Sequence, residues 1–269
     1  MGRVAAAATF LILGISCTHS PMLSTLPEGP GAFARDGALA IEEITNRCNE
    51  KGLPSTITPL RVNLSVTGMI GRRRVDSLMR VALGGGVRIE LLHGRGTPTV
   101  LATTGRDHST TLVLPSGRRS RVLRDESFEA VLERLVGLSV DPDALSRVVS
   151  GCYLLSPLGY VSEYGENWRR LPGGNDGKVY AHRESTSDPW KMSALYYPGK
   201  SLQWQWRLDY QDYREGFART LRLTTEDRRV DLTFKVVYLE PRASLPETLF
   251  VVDVPSNARV ITLADLDAF

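Results

Sequence analysis

The strongest constraint on this chain is a period of two. In residues 201–210, Leu202, Trp204, Trp206, Leu208 and Tyr210 alternate with Ser201, Gln203, Gln205, Arg207 and Asp209. In residues 230–238, Val230, Leu232, Phe234, Val236 and Tyr238 alternate with Asp231, Thr233 and Lys235. Successive strand side chains point to opposite faces, so such runs read as strands with one face buried and one wet. The same alternation runs through residues 61–71 (Val62, Leu64, Val66, Ile70) and 87–91 (Val87, Ile89, Leu91). Turn signals punctuate the first half at Gly84-Gly85-Gly86, Gly94-Arg95-Gly96, Gly105-Arg106-Asp107 and Pro115-Ser116-Gly117. Short strands at such spacing predict an antiparallel meander, not βαβ units. Fifteen prolines and 24 glycines in 269 residues agree with many turns and few long helices.

One helix precedes these strands and two interrupt them. Residues 32–50 carry one apolar stripe, Ile41, Ile44 and Cys48, and Gly52 and Pro54 end it. Ser127 is a candidate N-cap for a helix with Phe128, Val131, Leu132 and Leu135 on one face, stopped by Gly137. Asp141, Pro142 and Gly151 bracket the next, as N-cap, first turn and stop. No linker breaks residues 58–269, so they read as one mainly β domain of the α+β kind, a barrel or a strongly curved sheet.

The first residues read as an address. After Arg3 no charged residue occurs until Glu28, and residues 4–15 are nearly all apolar. That is the layout of a signal peptide, and the run is shorter than the roughly 20 residues of a membrane span. Leu13-Gly14-Ile15-Ser16-Cys17 resembles a bacterial lipobox, with Gly14 where a large aliphatic residue is usual. The expected division is a signal peptide over 1–16, then a lipidated (palmitate-bearing) Cys17 opening a flexible tether over 17–31. The folded domain would be 32–269. The other reading is an ordinary signal peptide cut nearby, or a short anchor. Thr18, in place of an aspartate after the cysteine, points to the outer membrane. Losing Arg3 takes the net charge from +3 to +2. So balanced a chain does not suggest a nucleic-acid partner.

Catalytic signatures are missing. There is no G-x-S-x-G elbow, no H-E-x-x-H, no P-loop and no zinc-type cysteine pairing. His19, His93, His108 and His182 are scattered, so neither a metal nor a cofactor is expected. The triple glycine reads as a turn, since no helix comes after it to cradle a phosphate. Arg72-Arg73-Arg74 reads as a solvated hairpin tip, or as a contact for anionic headgroups. Cys48 and Cys152 form either a disulfide or two buried thiols. The apolar strand faces are either a packed core or the lining of a cavity, and Trp204 and Trp206 suit both roles.

The order of elements resembles that of the LolA/LolB superfamily of lipoprotein localisation factors, nearest to the outer-membrane lipoprotein receptor and its uncharacterised relatives. The carrying stretch is residues 61–151. It includes Leu64-Ser65-Val66-Thr67-Gly68, Val87-Arg88-Ile89-Glu90-Leu91, the helix from Ser127 to Leu138, and Pro142-Asp143-Ala144-Leu145 through Gly151. Residues 248–255 resemble the family's final strand. The resemblance implies an unclosed antiparallel β-barrel, or half-barrel, with lid helices over an apolar cavity. It implies binding of acyl chains or similar amphiphiles without covalent chemistry, so the chain reads as a non-enzyme. Its partners would be lipid or lipoprotein acyl chains, the membrane through the N-terminal anchor, and other envelope proteins. The place would be the bacterial cell envelope, at the outer membrane facing the periplasm. Candidate cavity residues are Val62, Leu64, Val66, Val87, Ile89, Leu91, Phe128, Leu132, Leu202, Trp204, Trp206, Leu208, Leu232, Phe234 and Val236. The family receptor's protruding loop has only a short counterpart here, with Leu92 as its nearest large apolar residue, and residues 163–187 are extra. Two other readings stand beside this one. One is a non-enzymatic envelope scaffold or sensor, binding a protein or glycan through aromatics of 190–197 and 204–213. The other is a hydrolase of unusual arrangement.

Overall fold

A computed structural model describes residues 25–50, 60–70, 73–82, 86–92, 99–104, 109–114, 119–153, 155, 159–174, 177–198, 205–241 and 247–266. At 47–50, 60–65, 73–75, 82, 100–104, 239–241 and 247 it describes the backbone alone.

The period-two runs become strands of one sheet. The first half supplies β1 (Ala32–Phe33), β2 (Leu60–Ile70), β3 (Arg73–Ala82), β4 (Gly86–Leu91), β5 (Thr99–Thr104), β6 (Ser109–Leu114) and β7 (Arg121–Ser127). The second half supplies β8 (Ser162–Tyr164), β9 (Trp168–Pro172), β10 (Lys178–His182), β11 (Lys191–Tyr197), β12 (Trp206–Arg214), β13 (Phe217–Thr225), β14 (Val230–Pro241) and β15 (Arg259–Val260). Their spatial order is β1-β8-β9-β10-β11-β12-β13-β14-β2-β3-β4-β5-β6-β7-β15. Every pairing is antiparallel except β15 on β7. The ends of this order, β1 and β15, do not pair, so the sheet is an unclosed half-barrel. The seam between the halves is β14 on β2. There Gly68 takes a φ of +153°, and a side chain would collide with the Asp231 carbonyl of β14.

Helices α1 (Gly37–Glu50), α2 (Phe128–Val136) and α3 (Pro142–Ser150) sit where local signals place them. The Ser127 hydroxyl accepts from the Ala130 amide (3.1 Å), and the Asp141 carboxylate from the Ala144 amide (2.8 Å). Gly137 and Gly151 end the two helices in the left-handed region, at φ of 73° and 71°. Chain order then decides where α2 and α3 lie. They come after β7, next to one edge of the sheet, and precede β8, next to the other. The connection must therefore cross the open side of the curve, and the two helices form its roof.

Four expectations are corrected. The first helix starts at Gly37, because Ala32 and Phe33 pair with β8 as an edge strand. Arg73 and Arg74 lie in β3 rather than in a turn. The late strand begins at Trp206 and runs to Arg214, while 201–204 lie outside the described residues. Residues 248–255 make no strand: Glu247–Phe250 is a 3-10 turn, and Arg88 on β4 pins this segment by donating to the Leu249 and Val251 carbonyls (3.2 and 3.0 Å). That guanidinium takes two carbonyls of this arm in place of a ladder partner.

The extra material widens the sheet. Residues 162–182 form β8, β9 and β10, and α1 is pinned to them through Arg169. Only 4% exposed, Arg169 gives both Asp36 oxygens a bond (2.8 and 2.9 Å) and donates to the Gly165 and Trp168 carbonyls. Its guanidinium lies 4.9 Å from the Trp190 ring, and Arg183 lies 4.3 Å from the same ring. The tether region begins at 25 in the described residues. There Gly29 and Pro30 offer carbonyls to Arg170, and Gly29 also to the Tyr164 hydroxyl.

Candidate functional site

Register lines up the apolar residues of the concave face in rows. Leu208 pairs with Leu223, Leu223 with Leu232, and Leu232 with Gly68, which adds no side chain. The next row runs Tyr210, Leu221, Phe234 and Val66. Met79, Ile89, Leu91 and Leu112 continue the lining across β3, β4 and β6. From above, α2 contributes Leu132, Leu135 and Val136, the loop after it Leu138 and Val140, and α3 Leu145, Val148 and Val149.

Sheet and roof do not meet completely. They leave between them a partly open cavity of about 140 Å³ whose lining contains no charged side chain. Its polar residues are Ser77 and Thr99, which flank Leu91 in the register of β3, β4 and β5. An apolar void of roughly 150 Å³ stays dry and takes up benzene. Water has little to gain here, and hydrocarbon has contacts to make.

Two polar bonds fasten the roof. The Tyr210 hydroxyl of β12 donates to the Val148 carbonyl of α3 (2.9 Å). Complete burial pushes that phenol well above its ordinary pKa, so it remains a donor. On α2, Arg134 Nε donates to the Leu266 carbonyl (2.8 Å). Leu266 is itself buried and comes directly after a 3-10 turn at Leu263–Asp265. The same C-terminal arm adds β15 to the sheet edge, so it holds roof and edge together.

Of the expected cavity residues, Val66, Ile89, Leu91, Leu132, Trp206, Leu208, Leu232 and Phe234 line this space. Val87 and Phe128 are instead fully buried in the surrounding core, and Val236 packs against that core. The side chains of Val62 and Leu64, and residues Leu202 and Trp204, lie outside the description. Sequence reasoning places α3 but misses it and the roof loop as cavity lining, although Leu145, Val148 and Val149 keep helical spacing. It also missed Leu221 and Leu223, which alternate along β13.

The remaining candidates lie elsewhere. Cys152 is disulfide-bonded, and its partner lies outside the described side chains. Cys17, His19, His93 and His108 also fall outside the description. His182 faces the Trp168 ring at 4.4 Å on β10, and burial lowers its pKa. No group of three or more metal-ligating side chains occurs among the described residues. No described helix is long and apolar enough to cross a membrane. Of the aromatics expected of a scaffold surface, Trp190, Trp206 and Tyr210 are buried, Tyr196, Tyr197 and Tyr213 are half-buried, and Trp204 lies outside the described residues.

Fold and site together define an open antiparallel half-barrel, roofed by helices, around an apolar interior. Similar solved structures include an outer membrane lipoprotein-sorting protein domain from Vibrio parahaemolyticus. It is 11% identical, with a TM-score of 0.45 over 80% of this chain and 96% of that one. A LolA superfamily protein from Nitrosomonas europaea gives 11% identity and a TM-score of 0.47, over 79% and 97%. A DUF1329 family protein from Desulfovibrio piger gives 11% and 0.47, over 80% and 98%. No family model matches the sequence, and neither does any curated protein.

Proposed function

We propose that this protein binds acyl chains, or a similar amphiphile, in the cavity under α2 and α3. The observation that carries this reading is the charge-free cavity of about 140 Å³, built from strand rows on one side and helix faces on the other. Burial of each methylene contributes about 0.8 kcal/mol, so a short stretch of chain supplies binding energy without nucleotide or covalent chemistry.

The same proposal includes the N-terminus. Residues 1–16 are removed, Cys17 is lipidated, and the domain is held at the outer membrane facing the periplasm, where it serves lipid or lipoprotein trafficking. The disulfide at Cys152 supports an oxidising compartment, and with Cys17 acylated Cys48 becomes its assigned partner. The test is native mass spectrometry of the purified chain, joined to titration with a fluorescent fatty acid. Saturable uptake at one site, or a co-purified acyl species, is the expected result. Absence of both would refute it.

A further inference from the structure

The apolar cavity shares one wall with a second, polar space. Trp206 borders both. It stands at the start of β12, on the rim of the sheet, with its ring stacked on Tyr197 at 5.4 Å and 21°. On the other side of it a groove of about 740 Å³ runs over the outer face. Lys178, Tyr196, Arg207, Thr224 and Asp231 form one register row there, across five strands.

The charges in this groove are uneven. Lys178, Arg207, Arg222 and Arg228 face Glu226 and Asp231. Arg222 holds Asp231 with two bonds (2.9 and 2.8 Å), and Arg207 holds the buried Asp209 (2.8 and 2.5 Å). Lys178 lies 5.7 Å over the Tyr196 ring, whose hydroxyl bonds Gln205 at 3.1 Å. Among the described residues neither Lys178 nor Arg228 is ion-paired. Arg228 is presented by a fixed turn, with φ of +55° and its amide donating to the Thr225 carbonyl at 2.9 Å. Asp227 braces that turn by accepting from the Thr225 hydroxyl and the Arg229 amide.

We infer that one ligand uses both spaces: an amphiphile with its acyl chain in the apolar cavity and an anionic, phosphate-type headgroup between Lys178 and Arg228. The inference rests on the acyl-chain reading above. A charged head cannot accompany its chain into a cavity without a polar partner, because the desolvation cost is prohibitive. It has to leave at the rim, and at Trp206 the rim meets two spare cations. Trp206, with an apolar body and an N–H donor, suits the junction, and turning its ring aside joins the two spaces.

The experiment uses the whole chain and three short-chain probes below their micellar concentrations: dioctanoyl phosphatidylglycerol, dioctanoylglycerol, and glycerol 3-phosphate with no acyl chain. Two cation contacts near a lipid phosphate predict that the anionic lipid binds at least about tenfold tighter than the neutral one. K178A/R228A should bring the two lipids to the same affinity. K178E alone should narrow the gap, with thermal melting confirming the fold of each variant. Equal affinity in the wild-type chain overturns the inference and leaves the acyl reading standing, as does a preference that survives in K178A/R228A. Glycerol 3-phosphate binding as tightly as the lipid overturns it in favour of a free phosphate ligand. Failure of both lipids to bind removes the acyl reading as well.

Discussion

Filling the cavity separates a binding site from a flaw in packing. Leu232 sits mid-row on the floor between Leu223 and Gly68, and is 6% exposed. A void of 140 Å³ corresponds, at roughly 24 cal/mol per Å³, to about 3 kcal/mol of unrealised packing. Leu232→Trp recovers part of that and adds strain of about 1–3 kcal/mol, so its melting temperature should stay near the parent's. The ligand response should not. An acyl ligand at a hundredfold its Kd stabilises the wild-type chain by about 2.7 kcal/mol. For a domain of this size that is a rise of roughly 5–10 °C. In Leu232→Trp the rise should vanish, while Leu232→Ala should cost about 2–5 kcal/mol and admit a bulkier probe. Differential scanning fluorimetry with a fatty acid reads all three. A full ligand-induced rise in Leu232→Trp would place the ligand elsewhere. A wild-type chain with no rise, beside a Leu232→Trp variant stabilised by the whole 3 kcal/mol or so, would make the space a packing flaw.

Two further predictions concern the anchor of α1. Arg169→Ala leaves Asp36 without its fork and Trp190 without one cation, and should cost about 1–3 kcal/mol in urea unfolding, since Asp36 stays partly solvated. Arg169→Lys should recover only part, since an ammonium cannot bond both oxygens and stack on the ring. The second concerns acid. The Arg169 hydrogen bond holds the Asp36 carboxyl below the usual carboxylate range. Because the folded value is lowered, the unfolded chain takes up the proton first. The stabilisation is complete above the unfolded pKa near roughly 4 and is lost as pH falls through the lower folded value. Urea midpoints measured downward from pH 5 should fall less steeply in Asp36→Asn, and equal slopes would refute the assignment.

What was legible in the chain is what short-range chemistry decides. Ser127 with Gly137, and Asp141 with Gly151, mark helix ends because the capping bond and the left-handed stop involve neighbours within four residues. The alternation at 230–236 predicts a strand because either face can be read without knowing the partner. Partners are what alternation leaves out. Nothing in Ala32 and Phe33 announces that they extend the sheet beside β8, a contact made 130 residues away. Residues 248–255 have strand-like composition, yet Arg88 and the 3-10 turn claim their backbone. Val87 and Phe128 share the apolar pattern of the cavity residues but lie in the packed shell around it. Periodicity reports the buried face, and the local height of the roof decides whether a buried side chain meets a neighbour or a void. That height is set by the β7-to-β8 crossing, a property of the whole topology.

The size of the cavity also limits what a ligand must do to enter. At about 140 Å³ it holds a group near the size of benzene, so a longer acyl chain either passes out beside Trp206 or lifts α2 and α3. The apolar undersides of those helices lose little, because ligand methylenes replace the leucines and valines they leave. What is not replaced is polar: the Tyr210 bond to α3 and the Arg134 bond from α2 to the C-terminal arm. The Tyr210 bond is worth about 1 kcal/mol net and the charged Arg134 bond about 1.5–3 kcal/mol. At roughly 0.8 kcal/mol per methylene, about three to five additional carbons offset both. The fastening is therefore matched to chain length. A ligand of a few carbons fits beneath the roof as it stands, and a chain that lifts the helices works against two named hydrogen bonds, one from the sheet and one to the tail of the chain.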